Sequence, residues 1–138
     1  MNAVKSNVFS EVKLYMLAHG IPVAEEPTIP PDSEFVFRHT FLLEEVNELA
    51  AAFLKEDIVD MADALADIVN VAIGLAYSMG IPLEEVCEIV NEANLTGKRK
   101  VASAEESKRN YEHDLVKTEA FVSPEAKIAR LLFGDKNA

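Results

Sequence analysis

The sequence predicts an all-α protein: a helical bundle built on an antiparallel helix pair and completed by dimerisation. Three observations predict it. Apolar residues recur at spacings of three, four and seven, and no segment alternates convincingly as a strand. Glycines and prolines fall where helices should stop and start. The chain has 138 residues, 49% apolar and 27% charged, an ordinary globular composition. In all-helical form that length leaves a thin core, which a partner subunit would thicken.

The first helix is read from Val4 to Ala18, with Val4, Val8, Val12 and Tyr15 at helical spacing and Gly20 as its stop. A connector with four prolines, IPVAEEPTIPPDS, follows and is expected to be extended and on the surface. Asp32 or Ser33 can cap the second helix, from about Glu34 to Lys55. The third runs from about Asp57 to Met79 and ends at Gly80, a residue suited to a left-handed cap. Pro82 suits the first position of a fourth helix that reaches about Leu95, with Glu84 and Glu85 near its positive end and Gly97 closing it. Residues 98–122 have weak periodicity and read as irregular, with a short turn of helix around Ala104–Tyr111. Ser123-Pro124-Glu125 opens a last helix with Ile128, Leu131 and Leu132 inward and Gly134 at its end. We read one domain over 1–138, with a core from about 4 to 98 and an irregular, basic tail over 99–138.

The formal net charge is -11, and it is unevenly spread. Residues 1–92 hold 17 acids and four bases, whereas residues 93–138 hold seven acids and nine bases. An acidic body suits a metal and a basic tail suits an anion. So acidic a surface repels nucleic-acid phosphates, so no nucleic-acid partner is expected. The single cysteine, Cys87, forms no intrachain disulfide, and no Cys/His zinc pattern exists. The start lacks the apolar run of a signal peptide, and the longest uncharged run, Ile68 to Leu83, is broken by Gly80 and Pro82. The expectation is a cytoplasmic protein with no membrane partner.

Carboxylates carry the strongest chemical signal. Glu45 and Glu48 are three apart in LLEEVNEL, and Asp60, Asp63 and Asp67 form one helical stripe in DMADALADIVN. Asp63 and Asp67 stand among Met61, Leu65, Ile68 and Val69, a run that should be largely buried. Like charges at this spacing repel, and nothing cationic is near them in sequence. A turn near Glu56 would bring Glu48 and Asp63 to similar height on antiparallel helices. Converging carboxylates require a counter-charge, and a hard dication, Mg²⁺ or Mn²⁺, answers clustered oxygen ligands. The metal set read here is Glu45, Glu48, Asp63 and Asp67, with room for two ions. A solvated acidic face is the competing reading. The di-iron alternative needs Glu-x-x-His on paired helices, and His19, His39 and His113 are not so placed.

The stretches GIPVAEEPTIP, FLLEEVNELAAAF, EDIVDMADALADIVNVAIGLAYSMGIPLEEV, NEANLTGK and DLVKTEAFVSPE resemble, in order and spacing, the all-α nucleoside triphosphate pyrophosphohydrolases. The resemblance is to the MazG-like and phosphoribosyl-ATP pyrophosphohydrolase-like branch and covers roughly residues 8–122. It implies an E-E-x-x-E set on one helix, here Glu44, Glu45 and Glu48, and an acidic pair on the next that includes Asp67, together binding Mg²⁺. Many relatives carry Glu where this chain has Ala64, and Asp63 substitutes from the neighbouring position. Tyr is common where this chain has Asn70. The resemblance also implies a homodimer, or a dimer of dimers, with the active site near the interface.

The reaction it implies is Mg²⁺-dependent hydrolysis of a nucleoside triphosphate to the monophosphate and pyrophosphate, a house-cleaning activity. Glu44 or Glu48 would orient or deprotonate the attacking water. On the substrate side, Asn94 and Lys98 close helix four, and Lys98 is read as meeting phosphate with Asn94 hydrogen-bonding nearby. Lys117 matches a tail lysine of relatives, and Arg38 precedes the acidic set on its helix. Both complete the substrate-binding set. Tyr15, Phe121 and the Phe35/Phe37/Phe41 group are read as core rather than base-stacking residues. The rival enzyme is phosphoribosyl-ATP pyrophosphohydrolase of histidine biosynthesis. The rival from another class is a non-catalytic helical dimer with a structural ion.

Overall fold

The structure is a computed structural model that describes residues 6–135. The protein is mostly helical, and its chain forms two compact units, Met1–Leu83 and Glu84–Ala138.

In the first unit, α1 spans Val8–Ala18. Asn7 caps it reciprocally: its side-chain oxygen accepts the Ser10 N–H at 3.0 Å, and Ser10 Oγ accepts the Asn7 N–H at 3.1 Å. Val4, at the start of the sequence-based helix, lies outside the described residues. Val12 and Met16 pack on Ile73 of the third helix to form a small, fully buried core. Tyr77 closes it, its hydroxyl donating to the Phe9 carbonyl at 2.8 Å. The proline connector is pinned to the end of the third helix. Ala24 N–H donates to Tyr77 O and Thr28 N–H to Met79 O, so carbonyls that a helix end leaves orphaned are satisfied.

α2 spans Asp32–Leu54 and α3 spans Ile58–Ser78. The expected cap of α2 is corrected. The helix starts two residues earlier than the Asp32/Ser33 reading placed it, follows Pro31, and has no side-chain cap bond. Asp32 instead lies in the first turn, where its charge suits the helix dipole. The turn between the two helices is where the sequence put it. Glu56 takes a left-handed φ of 54°, and Asp57 Oδ1 accepts the Val59 and Asp60 N–H groups, each at 3.0 Å. α2 and α3 then pack along their lengths as a hairpin. Gly80, at φ 66°, ends the α3 segment in the left-handed region. The Glu26 carbonyl presses so closely on it that no side chain would fit.

The second unit holds α4, which spans Leu83–Gly97 and begins on the last residue of the first unit, and α5, which spans Glu125–Phe133. Pro82 thus precedes α4 rather than opening it. The irregular reading of 98–122 is corrected: Lys98–Lys100 (β1) and Leu115–Lys117 (β2) form an antiparallel pair. Three-residue strands are too short for alternation to be seen. Only Ala104–Glu106 is helical in the intervening loop, as one 3₁₀ turn. The ribbon is fastened to the end of α4, since Thr118 N–H and Oγ1 both donate to the Gly97 carbonyl at 2.9 and 3.1 Å. On α5, Ile128 and Leu132 are half-buried as expected, but Leu131 is 39% exposed. A nine-residue helix buries only one narrow stripe here.

Candidate metal centre

The α2–α3 seam is built from small and acidic residues. Ala52 of α2 and Ala64 of α3 are buried, and their short side chains allow a close approach of the two helices. Glu45 lies two turns before Ala52, and Asp67 lies one turn after Ala64. Glu45, Glu48 and Asp67 each offer a carboxylate oxygen, and these oxygens lie within 4.8 Å of one another.

Glu45 is the unusual member. It is the buried charged residue among the described residues, at 7% exposure. Its Oε2 is shut off from solvent and has no hydrogen-bond partner. Burial first, then the neighbouring Glu48 and Asp67, pushes its carboxyl up to about 7. A buried carboxylate without a donor is costly, and two more acids beside it raise that cost.

The donor set therefore fits a hard cation. All three donors are oxygen, with no thiolate or imidazole among them. Side-chain rotation would bring these oxygens, already within 4.8 Å of one another, onto one hard cation. Three carboxylates leave coordination positions for water and for a phosphate oxygen.

The remaining acids differ in place. Asp63 is exposed and is not part of the group of three. It borders, with Glu48 and Asp60, an adjoining cavity of about 250 Å³. Glu44 is also exposed and outside the group. Ala64 is buried in the hairpin seam and borders that same cavity.

Arg38 is not a surface residue. Its side chain is 12% exposed, and its Nε donates to Glu34 Oε1 at 3.0 Å. It lies across Gly74 of α3, where an added Cβ would stand 2.5 Å from its Nη1. Arg38 thus occupies the same hairpin seam as Glu45, about 10 Å along α2. Sequence reasoning did not identify Gly74 as its notch, because nothing local distinguishes a helical glycine that receives a remote side chain.

In the second unit, Asn94 is half-buried in α4. Lys98 and Lys117 are direct cross-strand partners. Both ammonium groups lie over the Phe121 ring, 5.8 and 4.6 Å from its centre. The sequence placed Phe121 in the core, whereas the structure makes its half-buried ring the common neighbour of both lysines. His39 stacks on Phe35 with ring centres 5.5 Å apart. Cys87 is half-buried. Among the described residues, no single helix is long and apolar enough to cross a membrane.

Comparison with known proteins bears on this geometry. No curated protein matches the chain. A family model described as phosphoribosyl-ATP pyrophosphohydrolase matches residues 14–94, more than half of the chain and the whole of the hairpin that carries the carboxylates. With Glu45 buried in the seam of its matching helices and Glu48 and Asp67 beside it, the chain belongs to this family within the MazG-like all-α nucleoside triphosphate pyrophosphohydrolases, and it is a nucleotide pyrophosphohydrolase, acting on an acid anhydride.

Proposed function

We propose that the protein is a Mg²⁺-dependent nucleoside triphosphate pyrophosphohydrolase that releases a nucleoside monophosphate and pyrophosphate. One observation carries the reading: a buried carboxylate oxygen with no protein partner, Glu45 Oε2, beside two further carboxylates. Glu45, Glu48 and Asp67 hold the ion, and Asp63 joins them from the adjoining cavity. Mn²⁺ would serve the same oxygen donors. A bound dication polarises phosphate oxygens and offsets the charge that builds in the transition state.

The chain's own residues supply the rest. Glu44 or Glu48 orients the attacking water and accepts its proton. Both are exposed, so they retain access to water. Arg38, Asn94, Lys98 and Lys117 bind the substrate, the cations through charge-assisted bonds to phosphate. The working unit is a homodimer. Val46, Phe53, Leu54 and Leu65 line an open apolar groove of about 630 Å³ on the α2–α3 hairpin, a face that a second copy would cover.

A second reading is hydrolysis of phosphoribosyl-ATP in histidine biosynthesis, favoured by the description of the matching family. A panel of nucleoside triphosphates and phosphoribosyl-ATP, scored by pyrophosphate release with and without Mg²⁺, tests both. Release from one or more triphosphates, dependent on Mg²⁺, is the expected result. Turnover of phosphoribosyl-ATP alone transfers the assignment to the second reading, and no turnover of any substrate overturns both.

A further inference from the structure

The sequence places the Phe35/Phe37/Phe41 group in the core, yet all three residues are 39% or more exposed. Phe35 stacks on His39. Phe37 and Phe41 stack on each other, with ring centres 6.1 Å apart and planes 22° from parallel. Two exposed rings side by side present a flat, uncharged π-face to solvent.

Helical spacing says where that face lies. Phe37, Phe41, Glu44 and Glu48 follow at intervals of four, three and four, a single stripe of α2. Asp63, Asp67 and Asn70, at intervals of four and three, form a stripe of α3. Glu48 and Asp63 line the same cavity, so both stripes border one side of the hairpin. The apolar groove of Leu49, Phe53, Met61 and Leu65 occupies the other side. The two helices run in step: Glu45 approaches Asp67, and Arg38 approaches Gly74. Phe41 therefore stands at the height of Asn70, one helical turn (about 6 Å) beyond Glu45. Asn70 is half-buried, and among the described residues its side-chain amide has no hydrogen-bond partner. That amide offers both a donor and an acceptor.

We propose that this side of the hairpin holds the nucleobase of the substrate, with Phe41 and Phe37 as the stacking platform and Asn70 as the residue that reads the base edge. The inference rests on the function above for the rest of the nucleotide. Every other part of a nucleoside triphosphate is charged or hydroxylated, and only the base offers a flat face to a phenyl ring. One ribose separates the base from the phosphates that a dication at Glu45, Glu48 and Asp67 would hold, a gap of about one helical turn. An amide pairs with any base edge that shows a donor beside an acceptor. The acids on the same stripes disfavour a second copy here, since a two-fold contact would set them against their counterparts.

Saturation-transfer NMR of the full chain in EDTA, with adenosine, guanosine, cytidine, uridine and thymidine as probes, tests the platform without metal or hydrolysis. At least one nucleoside should receive saturation on its base protons. Phe37→Ala and Phe41→Ala should each reduce it about threefold or more, and Phe41→Tyr, which keeps the ring, should retain it. Both rings are already exposed, so neither alanine opens a core cavity. Kinetics supply a second readout. On the best nucleoside triphosphate the alanine variants should raise KM about fivefold or more with kcat within about twofold. Inhibition by inorganic triphosphate, which carries no base, should stay unchanged. Asn70→Ala should change the ratio of kcat/KM between the best and next-best bases by about fivefold or more. Tyr111→Leu, at an exposed aromatic of the second unit, should change none of these.

Absence of transfer to every nucleoside, or wild-type transfer and KM in the alanine variants, overturns the proposal. So does a shift of those variants from dimer to monomer with base recognition intact, which would make the ring pair a subunit contact. Nucleoside contact that the alanine variants lose, in a protein that hydrolyses nothing, upholds the site and sinks the catalytic reading alone. Hydrolysis whose KM ignores both rings sinks this one alone.

Discussion

Glu45 is held where a carboxylate is least stable: buried, without a donor on Oε2, and beside Glu48 and Asp67. The metal-free protein bears that cost, so Glu45→Gln should raise its melting temperature at pH 8. The same change should abolish the rise in melting temperature on adding Mg²⁺ and lower hydrolysis at least about a hundredfold. Thermal melts with and without Mg²⁺, alongside pyrophosphate release, check all three. The pH dependence follows from the upward shift to about 7. The folded chain holds this proton more tightly than the unfolded chain does. Its contribution is therefore fully present below the ordinary value of 4.5 and is lost as pH rises through about 7. In EDTA the wild-type melting temperature should fall between pH 5 and pH 8, and Glu45→Gln should flatten that fall. Mg²⁺ competes with the same proton, so its affinity, measured by titration calorimetry, should climb up to about pH 7 and level off above it. Asp67 was legible in the sequence as an acid in an apolar run, whereas nothing local marked Glu45 as the buried member of the group. The inward position of Arg38 was not legible either, since it depends on Gly74, 36 positions away on another helix.

At the level of elements, the hairpin was readable from its punctuation: Glu56-Asp57 at the turn and Gly80 at the end. Asp57 shows why. Its side chain satisfies two N–H groups that α3 cannot satisfy itself, so Asp57→Ala should cost about 1 kcal/mol in urea unfolding. The β1–β2 ribbon was not readable, because its determinants are remote. Gly97 must lack a side chain to admit Phe121, and Thr118 must reach back to the Gly97 carbonyl. Neither need produces a local pattern. Gly97 does not have the positive φ that marks Gly20, Gly80 and Gly134, so its requirement comes from packing and not from backbone conformation. Gly97→Ala should therefore destabilise the protein by about 1–3 kcal/mol through overpacking. An unchanged urea midpoint would contradict that close approach.

For the whole molecule, the balance of apolar surface is the governing quantity. Among the described residues, fully buried hydrophobic side chains are few, whereas Phe53, Leu54, Ile58, Val59 and Leu65 on the hairpin are each half or more exposed. Covering that face with a second copy would supply the core that this length of chain lacks. Two chains of net charge -11 repel at long range, so screening should favour their association. In light scattering after size exclusion, the wild type should run as a dimer that tightens as salt rises from 50 to about 300 mM, beyond which the Debye length is too short for further gain. Its melting temperature should also rise with protein concentration. Leu54→Glu, at a side chain already 81% exposed, changes no packing within the protomer and should shift the wild-type dimer toward monomer. Leu65→Glu, across the groove from α2, should do the same. A monomer whose melting temperature ignores concentration, or dimers that tolerate both glutamates, would show that the apolar groove serves something other than a second copy.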